Sequence, residues 1–142
     1  MSGRVSFNGK SYEISNGFFK ELEFFEGSRG FFSLSDGILT YDRESLEVSA
    51  SDFEINIIFN AFDITSPTLE NGSYTIGTST LGPNAGSLNV IISEIDATFF
   101  ASEGTIIISG SENNYDITFM DIQFIGQDFN LTGTISGTFS TE

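Results

Sequence analysis

The chain contains no Cys, no His and no Trp, and each absence removes a class of chemistry. Without Cys it has no disulfide framework, no thiolate nucleophile and no thiolate metal ligand. Without His, the Ser-His-Asp and Cys-His catalytic systems and the usual zinc and copper ligand sets are also excluded. We therefore expect a protein that is not an enzyme. Glycoside hydrolysis by two carboxylates is the remaining catalytic alternative.

Positive charge is also scarce, because 5 Lys and Arg residues face 20 Asp and Glu residues for a net charge of -15. Such a field repels nucleic-acid phosphates and anionic membrane surfaces. No apolar run reaches the roughly 18 residues of a spanning helix, and the first residues carry no apolar signal-peptide stretch. We expect a soluble chain with no nucleic-acid partner and no transmembrane segment.

Most of the 142 residues show apolar and polar side chains in alternation, interrupted by Gly, Asn, Asp and Ser. This pattern is typical of short strands joined by turns, and the 16 Phe residues supply ample material for one core. We predict a single all-β domain over residues 1–142. An antiparallel β-sandwich is the preferred architecture, and a closed up-and-down β-barrel is the alternative.

Two hairpins can be assigned from their turns. Residues 5–7 and 10–14 flank Asn8-Gly9, which supplies the two positive φ angles of a type I′ turn. Residues 31–34 and 38–41 flank 35–37 and predict a second hairpin. After a long loop at 77–86, strands predicted at 88–92, 97–101, 105–109, 115–125 and 129–139 form a meander.

One segment also fits a short helix, over residues 16–27. Phe18, Leu22 and Phe25 fall at helical spacing, with Asn16 as an N-cap and Gly27 as a stop. A strand is the alternative for this segment.

Four Phe doublets stand out, at 18–19, 24–25, 31–32 and 99–100. Adjacent strand residues point to opposite faces of a sheet, so one ring of each doublet points away from the main core. Such rings are either covered by another part of the chain or form an exposed patch for a ligand or a second copy. The candidate binding residues are Phe18, Phe19, Phe24, Phe25, Phe31 and Phe32.

Calcium is the one inorganic partner that the composition favours, because it needs only oxygen ligands. The candidate metal ligands are Asp42, Glu44, Glu47 and Asp52. Their spacing does not match an EF-hand loop, and a solvated acidic loop is the alternative. No other cofactor is predicted.

The order of several motifs carries a family resemblance over nearly the whole chain. These motifs are Phe7-Asn8-Gly9-Lys10-Ser11-Tyr12, Asn71-Gly72-Ser73-Tyr74-Thr75, and the segments at 103–108, 115–119 and 131–138. In that order they resemble a widespread type of secreted or lipid-anchored β domain from Bacteroidetes, mostly of unassigned function. The resemblance implies an extracellular or cell-envelope location, with lipid anchoring of a precursor, and it carries no catalytic residues across.

Together these observations predict a non-enzymatic secreted or cell-surface module for binding or assembly. Its partner would be a protein, a glycan or another copy of the chain, held by loops and an exposed sheet face. The alternative is a β-barrel that binds a small hydrophobic ligand in its interior.

Overall fold

A computed structural model describes residues 1–24, 27–45, 47–64, 71–77, 85–111 and 114–140; for 21–24, 27–29, 61–64 and 111 it describes the backbone only. Twelve strands account for most of these residues, and the one helical element among them is a 3-10 turn at Ser93–Ile95. The strands are β1 (Ser2–Phe7), β2 (Lys10–Ile14), β3 (Asn16–Phe24), β4 (Gly27–Ser35), β5 (Ile38–Asp42), β6 (Glu47–Ser51), β7 (Ile55–Ile64), β8 (Gly72–Gly77), β9 (Ala85–Ile92), β10 (Ala97–Ser111), β11 (Asn114–Phe124) and β12 (Asn130–Thr138). The all-β prediction is confirmed.

Ten of the strands form one sheet in the order β2-β1-β12-β11-β10-β8-β9-β7-β4-β3. Its pairs are antiparallel except β8 with β9, which run parallel over two residue pairs. The sheet curls until its two edges approach each other, so the architecture is barrel-like. It follows the barrel alternative and not the two-sheet sandwich, because the inward faces of the strands pack against one another within a single rolled sheet.

Both edges of the sheet come from neighbouring parts of the chain. Strand β2 ends at Ile14 and β3 begins at Asn16, one on each edge. The seam is joined near Ser140, whose amide donates to the Gly17 carbonyl oxygen (2.8 Å) and whose carbonyl oxygen accepts from the Phe19 amide (3.0 Å). These bonds satisfy part of an edge that would otherwise present unpaired backbone groups.

The helix predicted over residues 16–27 is wrong, because this segment contains strand β3. Phe18 and Phe19 are each 5% exposed although adjacent strand residues face opposite ways. Phe19 belongs to the barrel core, whereas Phe18 lies on the outside and is covered there by β5. A strand buried on both faces loses the alternation that normally identifies it, which explains the helix-like pattern.

The second predicted hairpin is also wrong in its pairing. Strand β4 pairs with β3 and β7, and β5 leaves the main sheet to pair with β6. Asp36 lies where the chain leaves the main sheet, between β4 and β5. Its carboxylate accepts hydrogen bonds from the Glu54 amide (2.9 Å) and the Ile55 amide (3.1 Å) and so links this turn to the start of β7. The β5–β6 hairpin then packs on the outer face of β3 and β4.

The core fills the barrel from side to side. Phe139 contacts Phe19, Phe32 and Tyr115 at ring-centroid distances of 5.6–5.9 Å. Because Phe32 lies on β4 and Tyr115 on β11, these contacts cross the interior. The other inward side chains include Val5, Ile14, Leu34, Ile57, Tyr74, Ile76, Val90, Ile106, Ile117 and Leu131.

Candidate functional site

Strand β10 changes partner partway along its length. Its first residues pair with β9, ending at Phe100 opposite Asn89, and its later residues pair with β8, beginning at Glu103 opposite Gly77. The register with β11 shifts over the same stretch, between Ala101 and Thr105. A depression lies at this point, where β10 leaves β9 and joins β8.

This depression, which we call the β10 groove, has a volume of about 370 Å³. Its lining residues are Gly77, Ser87, Leu88, Asn89, Phe100, Ala101 and Ile125. Phe100 is 54% exposed and Ile125 is 56% exposed, and the amide of Ile125 donates to the Phe100 carbonyl oxygen (2.9 Å). Two large apolar side chains are therefore held side by side at the surface by backbone hydrogen bonding.

The alternation of the strand explains why Phe100 points outward. Phe99 packs against the core, in T-shaped contact with Phe7 (5.3 Å) and Phe129 (5.5 Å). Ala101 is buried on the same side, so Phe100 between them must face the solvent. Turning the ring inward would require a one-residue slip that exposes Phe99 and Ala101.

The strands that form the groove carry charges of one sign. All five Lys and Arg residues lie within the first 43 residues, and residues 44–142 carry 14 of the 20 Asp and Glu residues. Strands β7 to β12 therefore contain no cationic side chain. Two exposed carboxylates lie close in sequence to groove residues. Glu103 is two residues after Ala101, and Asp128 is three residues after Ile125.

Several cations in the described part of the chain already contact other groups. Arg4 pairs with Glu13 (2.6 Å). Lys10 lies 3.8 Å from Glu54 and 3.9 Å from Glu94, and Lys20 contacts Tyr41. These three residues lie on β1, β2 and β3, and none of these strands forms the β10 groove.

The predicted aromatic binding residues do not form one exposed patch. Phe18, Phe19 and Phe32 are at most 5% exposed, and Phe31 is half-buried. Phe24 ends strand β3, its side chain lying outside the described part, and Phe25 lies outside the described residues altogether. Burial therefore removes Phe18, Phe19 and Phe32 from any surface patch.

The predicted calcium ligands are spread along one hairpin. Asp42 and Glu47 are cross-strand neighbours near its tip, whereas Asp52 follows the far end of β6. Asp42 accepts hydrogen bonds from the amides of Glu44 (2.8 Å) and Ser45 (3.4 Å), which lower the pKa of its carboxyl. Among the described residues no group of three or more acidic side chains is placed to hold a metal ion. Calcium binding stays a prediction without a geometric site.

The outer face of β1, β12 and β11 is rich in hydroxyl side chains. Thr118 and Thr134 are cross-strand partners 3.3 Å apart, and Ser136 donates to the Asp116 carboxylate (2.5 Å). These hydroxyls bond to one another or to a neighbouring carboxylate, as polar side chains on the outer face of a sheet ordinarily do.

Sequence analysis did not identify the β10 groove. The sequence pattern marks the doublet at 99–100 but does not separate Phe100 from the other doublets, and it places Ile125 inside a strand. The sequence signal for this groove is the position of Ile125 directly before Gly126. A strand ends there, so the apolar side chain has no inward position in the sheet.

No helix among the described residues is long and apolar enough to cross a membrane. No family model, curated protein or solved structure shows detectable similarity to this chain.

Proposed function

We propose that the chain is a non-enzymatic binding module that docks a protein partner at the β10 groove, outside the cytoplasm. The observation that carries this proposal is the adjacent exposure of Phe100 on β10 and Ile125 in the turn after β11, joined by a backbone hydrogen bond. Contiguous exposed apolar surface with a polar rim is a feature of interaction sites on folded domains. The location outside the cytoplasm rests on the sequence resemblance.

The expected gain from docking is that of one hot spot within a larger contact. Full burial of a Phe or Ile side chain contributes about 1.5–3 kcal/mol, and each of these two is roughly half exposed. Covering both would contribute about 1.5–3 kcal/mol, which corresponds to roughly ten- to a hundredfold in affinity. This is the size of a small binding hot spot.

The alternative function is binding of a small hydrophobic ligand inside the barrel. The rolled sheet favours this alternative, but the aromatic contacts that cross the interior oppose it. Next to the turn between β1 and β2, the buried Phe7 contacts Phe99, Phe124 and Phe129 at 4.9–5.3 Å, so aromatic rings fill that part of the interior as well. Native mass spectrometry of the purified chain separates the two functions, because retained organic mass would support an interior ligand.

A direct test titrates two small neutral probes, N-acetyl-leucinamide and N-acetyl-phenylalaninamide, into isotope-labelled protein. Each probe is added to millimolar concentration. We expect the largest amide shifts at Ser87, Asn89, Phe100 and Ile125. Phe100→Ser and Ile125→Ser should abolish these shifts. Ile107→Ser is the matched control, because Ile107 is 38% exposed on the same strand but does not line the groove. Shifts confined to core residues would contradict the proposal.

A further inference from the structure

We infer that the partner of the β10 groove is a basic polypeptide segment, with one apolar anchor side chain flanked by Lys or Arg. This inference rests on the proposed function and adds the chemistry of the partner. The groove would hold the anchor against Phe100 and Ile125, and the flanking cations would face the anionic surface around them.

The charge distribution carries the inference. The groove is built from β8, β9, β10 and the residues after β11, and none of these segments contains Lys or Arg. Glu103 and Asp128 are both exposed, and Glu103 is the cross-strand partner of Gly77, which lines the groove. A bound cation therefore meets carboxylates, and the strands that form the groove carry no positive side chain that would oppose it.

The same charges oppose two other occupants. A second copy of this chain would bring another net charge of -15 against the groove, and like charges raise the free energy of association. An acidic partner would meet the same repulsion. A basic segment is the occupant whose charge complements the surface.

The test compares three capped heptapeptides that share a central leucine and carry two lysines, two glutamates or two serines on each side of it. A fourth peptide keeps the lysines but has serine at the centre. Binding is followed by the amide shifts of Phe100 and Ile125. At about 20 mM salt we expect the lysine peptide to bind about tenfold more tightly than the serine-flanked peptide. At about 1 M salt, where the screening length is about 3 Å, this difference should fall to about twofold.

Two variants locate the effect. Glu103→Gln should reduce the preference for the lysine peptide about twofold and leave the serine-flanked peptide unchanged. Phe100→Ser should abolish binding of every leucine-centred peptide. The lysine peptide with a serine centre should bind at least tenfold more weakly than its leucine counterpart.

The outcomes separate the two proposals. If the serine-flanked peptide shifts the groove and the lysine peptide binds no better, the basic partner is ruled out and the binding site stands. If no leucine-centred peptide shifts the groove, the proposed function fails and the basic partner fails with it. Equal binding of the leucine-centred and serine-centred lysine peptides, or dimerisation lost in Phe100→Ser, would also overturn the basic partner.

Discussion

Phe18 on β3 and Tyr41 on β5 stack with their ring centroids 5.3 Å apart and their planes at 22°. The Lys20 ammonium lies 4.3 Å from the centre of the Tyr41 ring and also donates a hydrogen bond to its hydroxyl. Phe18 points away from the barrel core, so Tyr41 is the ring that shields it from water. The β5–β6 hairpin is therefore a structural cover for the outer face of β3.

Tyr41→Ala should destabilise the protein by about 2 kcal/mol, because it exposes Phe18 and removes a stacked ring pair. Urea denaturation measures this change as a lower midpoint. Thr40→Ala is the matched control, since Thr40 is the exposed neighbour on the opposite side of the same strand. Equal midpoints for Tyr41→Ala and the unmodified chain would show that the hairpin does not cover Phe18.

Phe139→Ala should cost about 4 kcal/mol, because Phe139 is 3% exposed and joins three aromatic rings across the interior. Amide exchange at Phe19 should also accelerate, since its hydrogen bond to Ser140 depends on the position of this segment. The exposed neighbour Thr138 serves as control through Thr138→Ala. A loss of stability without faster exchange at Phe19 would mean that the seam closes independently of the Phe139 ring.

Gly133 lies in the middle of β12 with φ +143°, and a Cβ atom there would come within 2.3 Å of the Arg4 carbonyl oxygen. We expect Gly133→Ala to destabilise the protein by about 3 kcal/mol or more, because strand β1 would have to move away. Gly126 also has positive φ, but a Cβ atom there meets nothing within 4 Å. Gly126→Ala should therefore cost only about 1 kcal/mol in thermal unfolding. Similar losses for both variants would contradict the close approach of β1 and β12.

Asp42 makes the turn between β5 and β6 sensitive to acid. Its hydrogen bonds from the Glu44 and Ser45 amides hold the pKa of its carboxyl below the ordinary value of 3.8. A lowered folded-state pKa contributes stability above the ordinary value and loses it as the pH falls through the lowered pKa. We expect the Asp42 carboxyl resonance to titrate with a midpoint below 3.8 and the Glu44 amide shift to follow it.

Asp42→Asn is the control for this titration, because it keeps an acceptor oxygen that does not ionise. In this variant the Glu44 amide shift should lose that pH dependence. A midpoint at or above 3.8 in the unmodified chain would show that the turn does not hold the carboxylate.

Local turn chemistry was the most predictable part of the fold. Asn8 and Gly9 have φ angles of 51° and 74°, and they join β1 to β2 as the type I′ signal requires. The strands in the second half also fall near their predicted positions. Glu103-Gly104 was expected to separate two strands, but it lies within β10, where a bulge absorbs the irregularity.

Pairing over long distances was not predictable, and it determines both the architecture and the candidate site. Nothing local to β4 indicates that its neighbour is β7, because the two strands are separated by the β5–β6 hairpin and meet through contacts distant in sequence, including those of the Asp36 carboxylate with the amides of residues 54 and 55. The β10 groove is likewise a consequence of β10 changing partners. The sequence of one strand indicates which of its side chains face the core. It does not indicate which neighbouring strand each half of it will pair with.

The pairing of β1 with β12 also has a consequence for the order of folding. Residues 2–7 bond to residues 131–136, and Gly17 and Phe19 bond to Ser140. Each of these contacts closes a loop of more than about a hundred residues, which costs entropy before it contributes stability. During synthesis on a ribosome, the first hairpins would keep unpaired strand edges until nearly the whole chain had emerged. We therefore expect slow, cooperative folding, with closure of the seam as a late step and with exposed strand edges during synthesis.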